Sequence, residues 1–174
     1  MSVPSGLESE VRRFNIEIML QTRTATTADV TLIAAHRKAM FKAIGGTQES
    51  ALETLRRNCV PWLERMMVDG KYFGWITFDV DRPVASAGLM LMDWPPGPFD
   101  PVGEIRGYIL NVFVEPEYRG RGLARGVVEA CMAESRRRGI RVITLHASEA
   151  GRPLYEALGF GSTNEMRYLE PAGD

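Results

Sequence analysis

Residues 114–125 include the side chains whose types and spacing are best suited to chemistry. Gly120 and Gly122 alternate with arginines there, immediately before an amphipathic stretch. The first N–H groups of a helix have no partners within the helix, and its dipole places positive charge beside them, so helix starts attract anions. Glycine lets a phosphate approach the backbone because it has no Cβ. With Arg119 and Arg121 adding positive charge, the segment predicts a ligand that carries a phosphate or pyrophosphate.

Two familiar phosphate-binding patterns do not fit this segment. A dinucleotide fingerprint needs its third glycine one residue before Gly126, and an acidic residue at the end of the next strand, where this chain has His146. A P-loop needs Lys followed by Ser or Thr after its glycines, and no such pair follows Gly122. NAD-dependent chemistry is therefore disfavoured, and a binding measurement with NADH would test it.

The elements that must position this segment are predicted from hydrophobic periodicity and turn residues. Strands are expected over residues 16–24, 71–80, 84–92, 106–114, 141–147 and 166–169. Helices are expected over residues 30–44, 49–69, 122–138 and 152–158. Pro61 is expected to kink or divide the second of these helices, because proline removes a helical hydrogen bond. The proline-rich residues 93–103 are predicted to form a loop.

The order of these elements predicts an α/β fold. The strand–helix–strand unit over residues 106–147 makes its two strands parallel, whereas the earlier strands form hairpins. A mixed sheet with helices on both faces closes such a core. The length of 174 residues suits one domain. We expect that domain to span residues 1–174, with residues 1–15 as a polar lead-in.

Two landmarks in the sequence resemble the GNAT superfamily of acetyl-CoA-dependent N-acyltransferases. The family signature is Arg or Gln, two residues, Gly, one residue, then Gly or Ala, and residues 119–124 fit it. Residues 111–118 match the strand that leads into this loop, and Tyr155 followed by Gly159 and Phe160 matches the second landmark. The resemblance covers residues 106–160. It implies a GNAT-type fold with a mostly antiparallel central sheet, one parallel βαβ pair and helices on both faces.

The resemblance implies acetyl-CoA as co-substrate. No metal site is expected, because the sequence has only two histidines, His36 and His146. In the family, the loop amides hold the pyrophosphate of coenzyme A. The preceding strand bulges and splays from its parallel neighbour, and its backbone pairs with the pantetheine arm. Ser148 stands where the family often has an Asn that contacts this arm, and Gly151 stands where it usually has Ala. The residues expected to bind the coenzyme are Val112, Phe113, Val114, Arg119, Gly120, Arg121, Gly122, Leu123, Ala124 and Ser148.

The family mechanism assigns the chemical roles. The amine attacks the thioester directly in a ternary complex, and a backbone N–H near Val112 stabilises the oxyanion. Tyr155 is the expected general acid for the departing thiolate, because phenol and thiol pKa values differ by only about two units. Glu104 is the first candidate for the general base, Asp100 and Asp93 are the next, and a relay through water is an equal alternative.

Composition limits the partners. The chain has 21 Lys and Arg against 22 Asp and Glu, and 45% of its residues are hydrophobic, which excludes disorder and bulk attraction to nucleic acid. No apolar run approaches the roughly 20 residues of a membrane span, and no secretory signal is visible, so a cytoplasmic protein is expected. The two cysteines are expected to be reduced. A homodimer is possible by analogy with similar proteins.

The sequence leaves the acceptor open. A small amine, an amino acid, an antibiotic and a protein amine are all compatible with an N-acetyltransferase. A second hypothesis of another class is a non-catalytic module that binds acyl-CoA as a sensor. Tyr155 argues against this hypothesis, because binding alone needs no general acid. Release of free thiol in the presence of an amine would discriminate the two.

Overall fold

The computed structural model describes residues 20–45 and 48–170. Its five strands are β1 (Leu20–Thr24), β2 (Tyr72–Asp79), β3 (Arg82–Asp93), β4 (Ile105–Val114) and β5 (Ile143–Leu145). Its four α-helices are α1 (Val30–Ile44), α2 (Glu49–Val68), α3 (Leu123–Arg137) and α4 (Arg152–Ala157). Short 3-10 helices at Thr27–Asp29 and Pro116–Tyr118 precede α1 and α3.

The strands form one sheet in the order β1-β2-β3-β4-β5. The first three pairings are antiparallel, and β4 pairs in parallel with β5. Parallel neighbours need a long crossover, which α3 supplies. The predicted mixed, mostly antiparallel sheet with one parallel βαβ pair is therefore confirmed.

Two apolar clusters pack on opposite faces of the sheet. Along β2, Tyr72 and Ile76 belong to the cluster that α1 and α2 cover, whereas Trp75 packs against the cluster under α3 and α4. This division follows from the alternation of side chains along a strand. On the first face, Ile33 and Leu63 are buried beneath the two long helices. The prediction of helices on both faces is confirmed.

Several boundaries differ from the prediction. Residues 166–169 are not a strand, because no described strand pairs with them, and the Met166, Tyr168 and Leu169 side chains are exposed. The strand predicted over 141–147 is shorter because its ladder with β4 covers only Ile143–Leu145. Pro61 does not divide α2, which runs unbroken past it. Residues 16–19 and the predicted lead-in at 1–15 lie outside the described residues. Among those described, no helix has the length and apolar character needed to span a bilayer.

Candidate functional site

The glycine-rich loop before α3 presents unpaired amides to open space. Gly120 and Gly122 have φ values of +74° and +82°, in the left-handed region that favours glycine. A Cβ built on either glycine would meet no atom within 4 Å. In the described part of the chain, none of the amides of residues 120–125 donates a hydrogen bond to another group. These unpaired amides at the start of the helix therefore form a cradle for an anion.

The arginines of this loop are held by local contacts. Arg119 Nε donates to the Val114 carbonyl oxygen at 3.2 Å, which ties the loop to the end of β4. Arg121 donates to the Glu117 carbonyl at 2.9 Å, with its guanidinium 4.8 Å from the centre of the Tyr118 ring. The two hydrogen bonds leave further guanidinium N–H groups available, since each arginine uses one donor of several. The loop therefore surrounds its free amides with positive charge.

A β-bulge interrupts β4 at Asn111. The register with β3 shifts between the pairs Gly88–Leu110 and Ser86–Phe113, so two residues of β4 lie opposite Ala87. Asn111 has φ +58°, which asparagine tolerates better than most residues with a Cβ. Its side chain is buried, accepts a hydrogen bond from Arg37 at 2.6 Å and donates one to the Tyr72 hydroxyl at 3.0 Å. These two bonds hold the bulge in place.

Beyond the bulge, β4 separates from β5. Their parallel pairing covers only the residues from Gly107 to Ile109 of β4. The rest of β4 borders a groove of about 1340 Å³, whose other wall includes Ala147 and Ser148. The backbone on this side of β4 is thus available to a ligand chain that can donate and accept hydrogen bonds. The groove reaches Arg119, where the anion cradle begins.

Tyr155 lines the same groove from α4. Its side chain is buried, and its ring meets that of Phe160 edge-on with centroids 6.0 Å apart. Burial raises the pKa of the phenol above its usual value, and the nearby Cys131 thiol acts in the same direction. The phenol therefore stays protonated at neutral pH and is able to donate a proton to a group in the groove.

The turn before α4 places Ser148 beside Tyr155. The Ser148 hydroxyl accepts a hydrogen bond from the Gly151 amide at 3.2 Å. A Cβ added at Gly151 would lie 3.1 Å from the Tyr155 ring and 3.2 Å from the Ser148 hydroxyl. The missing Cβ therefore lets this turn pack tightly against the tyrosine.

The carboxylates predicted as candidate bases do not line the groove. Glu104 is exposed and precedes Asn111 by seven residues, roughly 23 Å along a strand that rises about 3.3 Å per residue. Asp100 accepts a hydrogen bond from the Gly103 amide at 3.1 Å, which fixes its own loop. Asp93 pairs with Lys71 at 3.0 Å and is exposed. The structure thus brings Tyr155, Ser148 and the β4 backbone together and leaves these carboxylates apart.

Sequence reasoning missed the contacts that position the bulge. Arg37 and Tyr72 come from α1 and β2, and only the tertiary fold brings them to Asn111. A polar asparagine within the otherwise apolar residues 109–114 was the available signal, since buried polar side chains need partners. The 3-10 helix before the loop was also missed, although Pro116 at its start suits such a turn.

The sequence is similar to a family model and to known N-acetyltransferases. The model of the Acetyltransferase (GNAT) family matches residues 31–160. The glucosamine 6-phosphate N-acetyltransferase of Trypanosoma brucei brucei is 38% identical over 89 residues, which are 51% of this chain and 58% of that protein. The chain thus spans little more than half the length of that relative. The bS18-alanine N-acetyltransferase of Escherichia coli K12 is 24% identical over 122 residues, 68% of this chain and 77% of that protein.

Two solved structures superpose on most of this chain. A GCN5-related N-acetyltransferase from Ralstonia eutropha superposes with a TM-score of 0.82 at 37% identity, covering 87% of this chain and 98% of that one. A protein from Clostridium acetobutylicum described as a predicted acetyltransferase, solved with acetyl-CoA, has a TM-score of 0.80 at 28% identity, covering 87% of this chain and 96% of that one. The family match spans most of the sequence and includes the loop, the bulged strand and the tyrosine described above. The chain therefore belongs to the GNAT acetyltransferase family.

Proposed function

We propose that this protein transfers the acetyl group of acetyl-CoA to a primary amine by direct attack within a ternary complex. The observation that carries this proposal is the single groove that joins the open side of β4 to Arg119 and Tyr155. One end offers free amides for a pyrophosphate, and the middle offers an unpaired strand backbone for the pantetheine arm. The phenol of Tyr155 faces the same space, where the thiolate would depart.

The residues of the glycine loop bind the coenzyme in this proposal. The amides of Gly120, Gly122 and Ala124 contact the pyrophosphate, with Arg119, Arg121 and Leu123 completing the cradle. The backbone of Val112, Phe113 and Val114 pairs with the pantetheine arm, and Ser148 lies against it from the opposite wall. When bound, acetyl-CoA supplies the activated acyl group for the transfer.

The transfer needs one proton removed and one delivered. The amine nitrogen forms a bond to the acetyl carbon while the carbon–sulfur bond breaks. The N–H of Val112 stabilises the oxyanion, and Tyr155 donates its phenolic proton to the departing thiolate. With Glu104, Asp100 and Asp93 outside the groove, the amine loses its proton to water, and solvent restores that of Tyr155. Cys59 also lines the groove, but burial raises the pKa of its thiol, which disfavours an acyl-cysteine intermediate.

The acceptor is a small amine or the amine of a peptide. The relatives named above are enzymes for a phosphorylated amino sugar and for an alanine of a ribosomal protein, and both acceptor types belong in a first panel. A sugar amine and a peptide N-terminus are alike in being primary amines, which is the group this mechanism requires.

Calorimetric titration with acetyl-CoA, followed by a thiol-release assay over a panel of amines, tests the proposal. We expect micromolar binding and release of free thiol with at least one amine. Titration with NADH serves as the control and should show no binding. Binding of acetyl-CoA without thiol release from any amine would favour the non-catalytic sensor. Absence of binding would contradict both functions.

A further inference from the structure

Beyond the bulge, the groove extends onto the face of the sheet that α1 and α2 cover. Its walls there are largely apolar, formed by Met40, Phe41, Leu55, Trp62 and Met90. Tyr108 of β4 and the half-buried Arg37 of α1 complete this region. We call it the acceptor chamber, because it borders the bulge and contains no residue of the glycine loop. Its polar groups decide which amines it favours.

Arg37 is the cation nearest the bulge. Its Nη1 donates to Asn111 Oδ1 at 2.6 Å, and its guanidinium lies 4.9 Å from the centre of the Phe41 ring. Within residues 20–45 and 48–170, no carboxylate lies within ion-pair distance of this side chain. A guanidinium has several N–H donors, of which the contact with Asn111 uses one. The remaining donors are available to a ligand.

The charges around the chamber are unbalanced. Arg119 and Arg167 are further cations on the groove wall. The carboxylate that lines the described groove is that of Glu149, which follows Ser148 on the coenzyme side. A partly desolvated cation without a counter-ion is unfavourable, and an arginine fork matches the oxygens of a carboxylate or phosphate. The chamber is therefore suited to a ligand that brings its own negative charge.

The position of Arg37 also limits where that charge sits on the acceptor. Arg37 bonds to Asn111, and the adjacent Val112 carries the N–H that we assign to the oxyanion. A group bound by Arg37 would thus lie on the same side of the acceptor as the attacking nitrogen. We propose that Arg37 binds an anionic group, carboxylate or phosphate, on a carbon close to the acceptor's amine, an assignment that rests on the proposed acetyl transfer. Amino acids and short aminoalkyl phosphates have this arrangement.

Matched pairs of amines test this specificity on the unaltered protein. Phenylalanine is compared with phenylalaninamide, and phosphoethanolamine with ethanolamine, by thiol release. We expect kcat/KM to be about tenfold or more higher for the anionic member of at least one pair, because charge-assisted hydrogen bonds are stronger than neutral ones. The amine of phenylalaninamide is less basic than that of phenylalanine, so intrinsic reactivity favours the amide. The pair that shows the preference identifies the anion as carboxylate or phosphate.

Arg37→Gln links the preference to this side chain. Glutamine retains an N–H donor for Asn111 but removes the charge. We expect KM to rise about tenfold more for the anionic member than for the neutral member, because any change at the bulge affects both members alike. Arg37→Lys should recover part of the preference. Arg57→Gln removes the same charge from an exposed position of α2 that does not line the groove, and should leave the preference intact.

The outcomes separate this inference from the function on which it rests. Equal kcat/KM values for the two members of both pairs would overturn the assignment of Arg37. A preference for the anionic member that survives Arg37→Gln would overturn it as well. A purely structural Arg37 would lower the rates for both members alike. If no amine releases thiol, the transfer proposal fails. Calorimetric titration of each pair into the protein saturated with coenzyme A then still decides the anion site, because binding needs no transfer.

Discussion

At the scale of single residues, the loop glycines and Tyr155 have complementary tasks. Gly122 begins α3 in a left-handed conformation with empty space before it, and Tyr155 is placed by packing against Phe160. In the proposed function, one residue acts by lacking a side chain, and the other acts through a single hydroxyl. Each is therefore open to a substitution that removes its task and leaves most of the structure unchanged.

Gly122→Ala should weaken acetyl-CoA binding about tenfold, because a Cβ would enter the space where the phosphate meets the backbone. Calorimetric titration measures the change. Gly139→Ala is the matched control, since Gly139 lies at the other end of α3 with φ +72° and likewise has no atom near its missing Cβ. Both variants introduce the same backbone strain. Equal affinities in the two variants would remove the anion cradle from the site.

Tyr155→Phe should lower kcat about 100-fold while acetyl-CoA affinity stays nearly constant, since only the general acid is removed and the ring remains. Thiol release and calorimetry measure the two quantities. Tyr118→Phe is the control, because it removes a phenol that donates to Asp79 at 2.6 Å rather than one in the groove. An unchanged kcat would assign Tyr155 to packing or show that water protonates the thiolate.

At the scale of elements, the bulge of β4 decides where the backbone becomes available. It redirects the strand so that Phe113 packs against His36 of α1, with ring centroids 4.8 Å apart, while Val112 and Val114 pack in the cluster under α3. The bulge depends on Asn111, which combines an unusual backbone conformation with two buried hydrogen bonds. These two contributions can be separated by substitution.

Asn111→Val should lower the free energy of unfolding by about 2–4 kcal/mol, because a β-branched residue resists positive φ and both hydrogen bonds are lost. Asn111→Gly accepts the conformation and loses only the bonds, so we expect a smaller loss of about 1–2 kcal/mol. Urea denaturation measures both. The prediction is wrong if the two variants are equally stable.

The elements differ in how well the sequence predicts them, for physical reasons. Local signals define α3, since Gly122 and Gly139 bracket a periodic apolar stripe. The bulge depends on partners from α1 and β2, which no local pattern reveals. Alternation at residues 166–169 predicts a strand wrongly because a strand also needs a neighbour. The site residues of the glycine loop follow from a local motif, whereas Arg37 reaches the groove only through the packing of α1 on the sheet.

At the scale of the whole molecule, buried polar contacts join the helices to the sheet. His36 of α1 is 5% exposed, and its Nδ1 lies 2.8 Å from the Ser86 hydroxyl of β3. Burial lowers the pKa of His36 from 6.5 to about 4. The His36 imidazole is therefore neutral in the folded state at pH values where it is protonated in the unfolded state.

Stability should consequently depend on pH in a defined window. Between pH 6.5 and about 4 the unfolded state binds more protons at His36, so the free energy of unfolding falls as pH falls, by up to about 3 kcal/mol. Thermal melts across this range measure the slope. His36→Gln should flatten it, and His146→Gln, at an exposed position, should retain it. The same slope in both variants would contradict the assignment to His36.

The separation of β4 from β5 has a consequence for association. An unpaired strand edge is normally a template for the strand of another chain. Here that edge lines a groove whose walls include Phe41 of α1 and Tyr155 of α4, so an incoming protein strand would have to fit its side chains between these walls. The pantetheine arm has two amide groups but few substituents along its backbone. The groove therefore admits a slender, peptide-like ligand and discourages aggregation through the same edge.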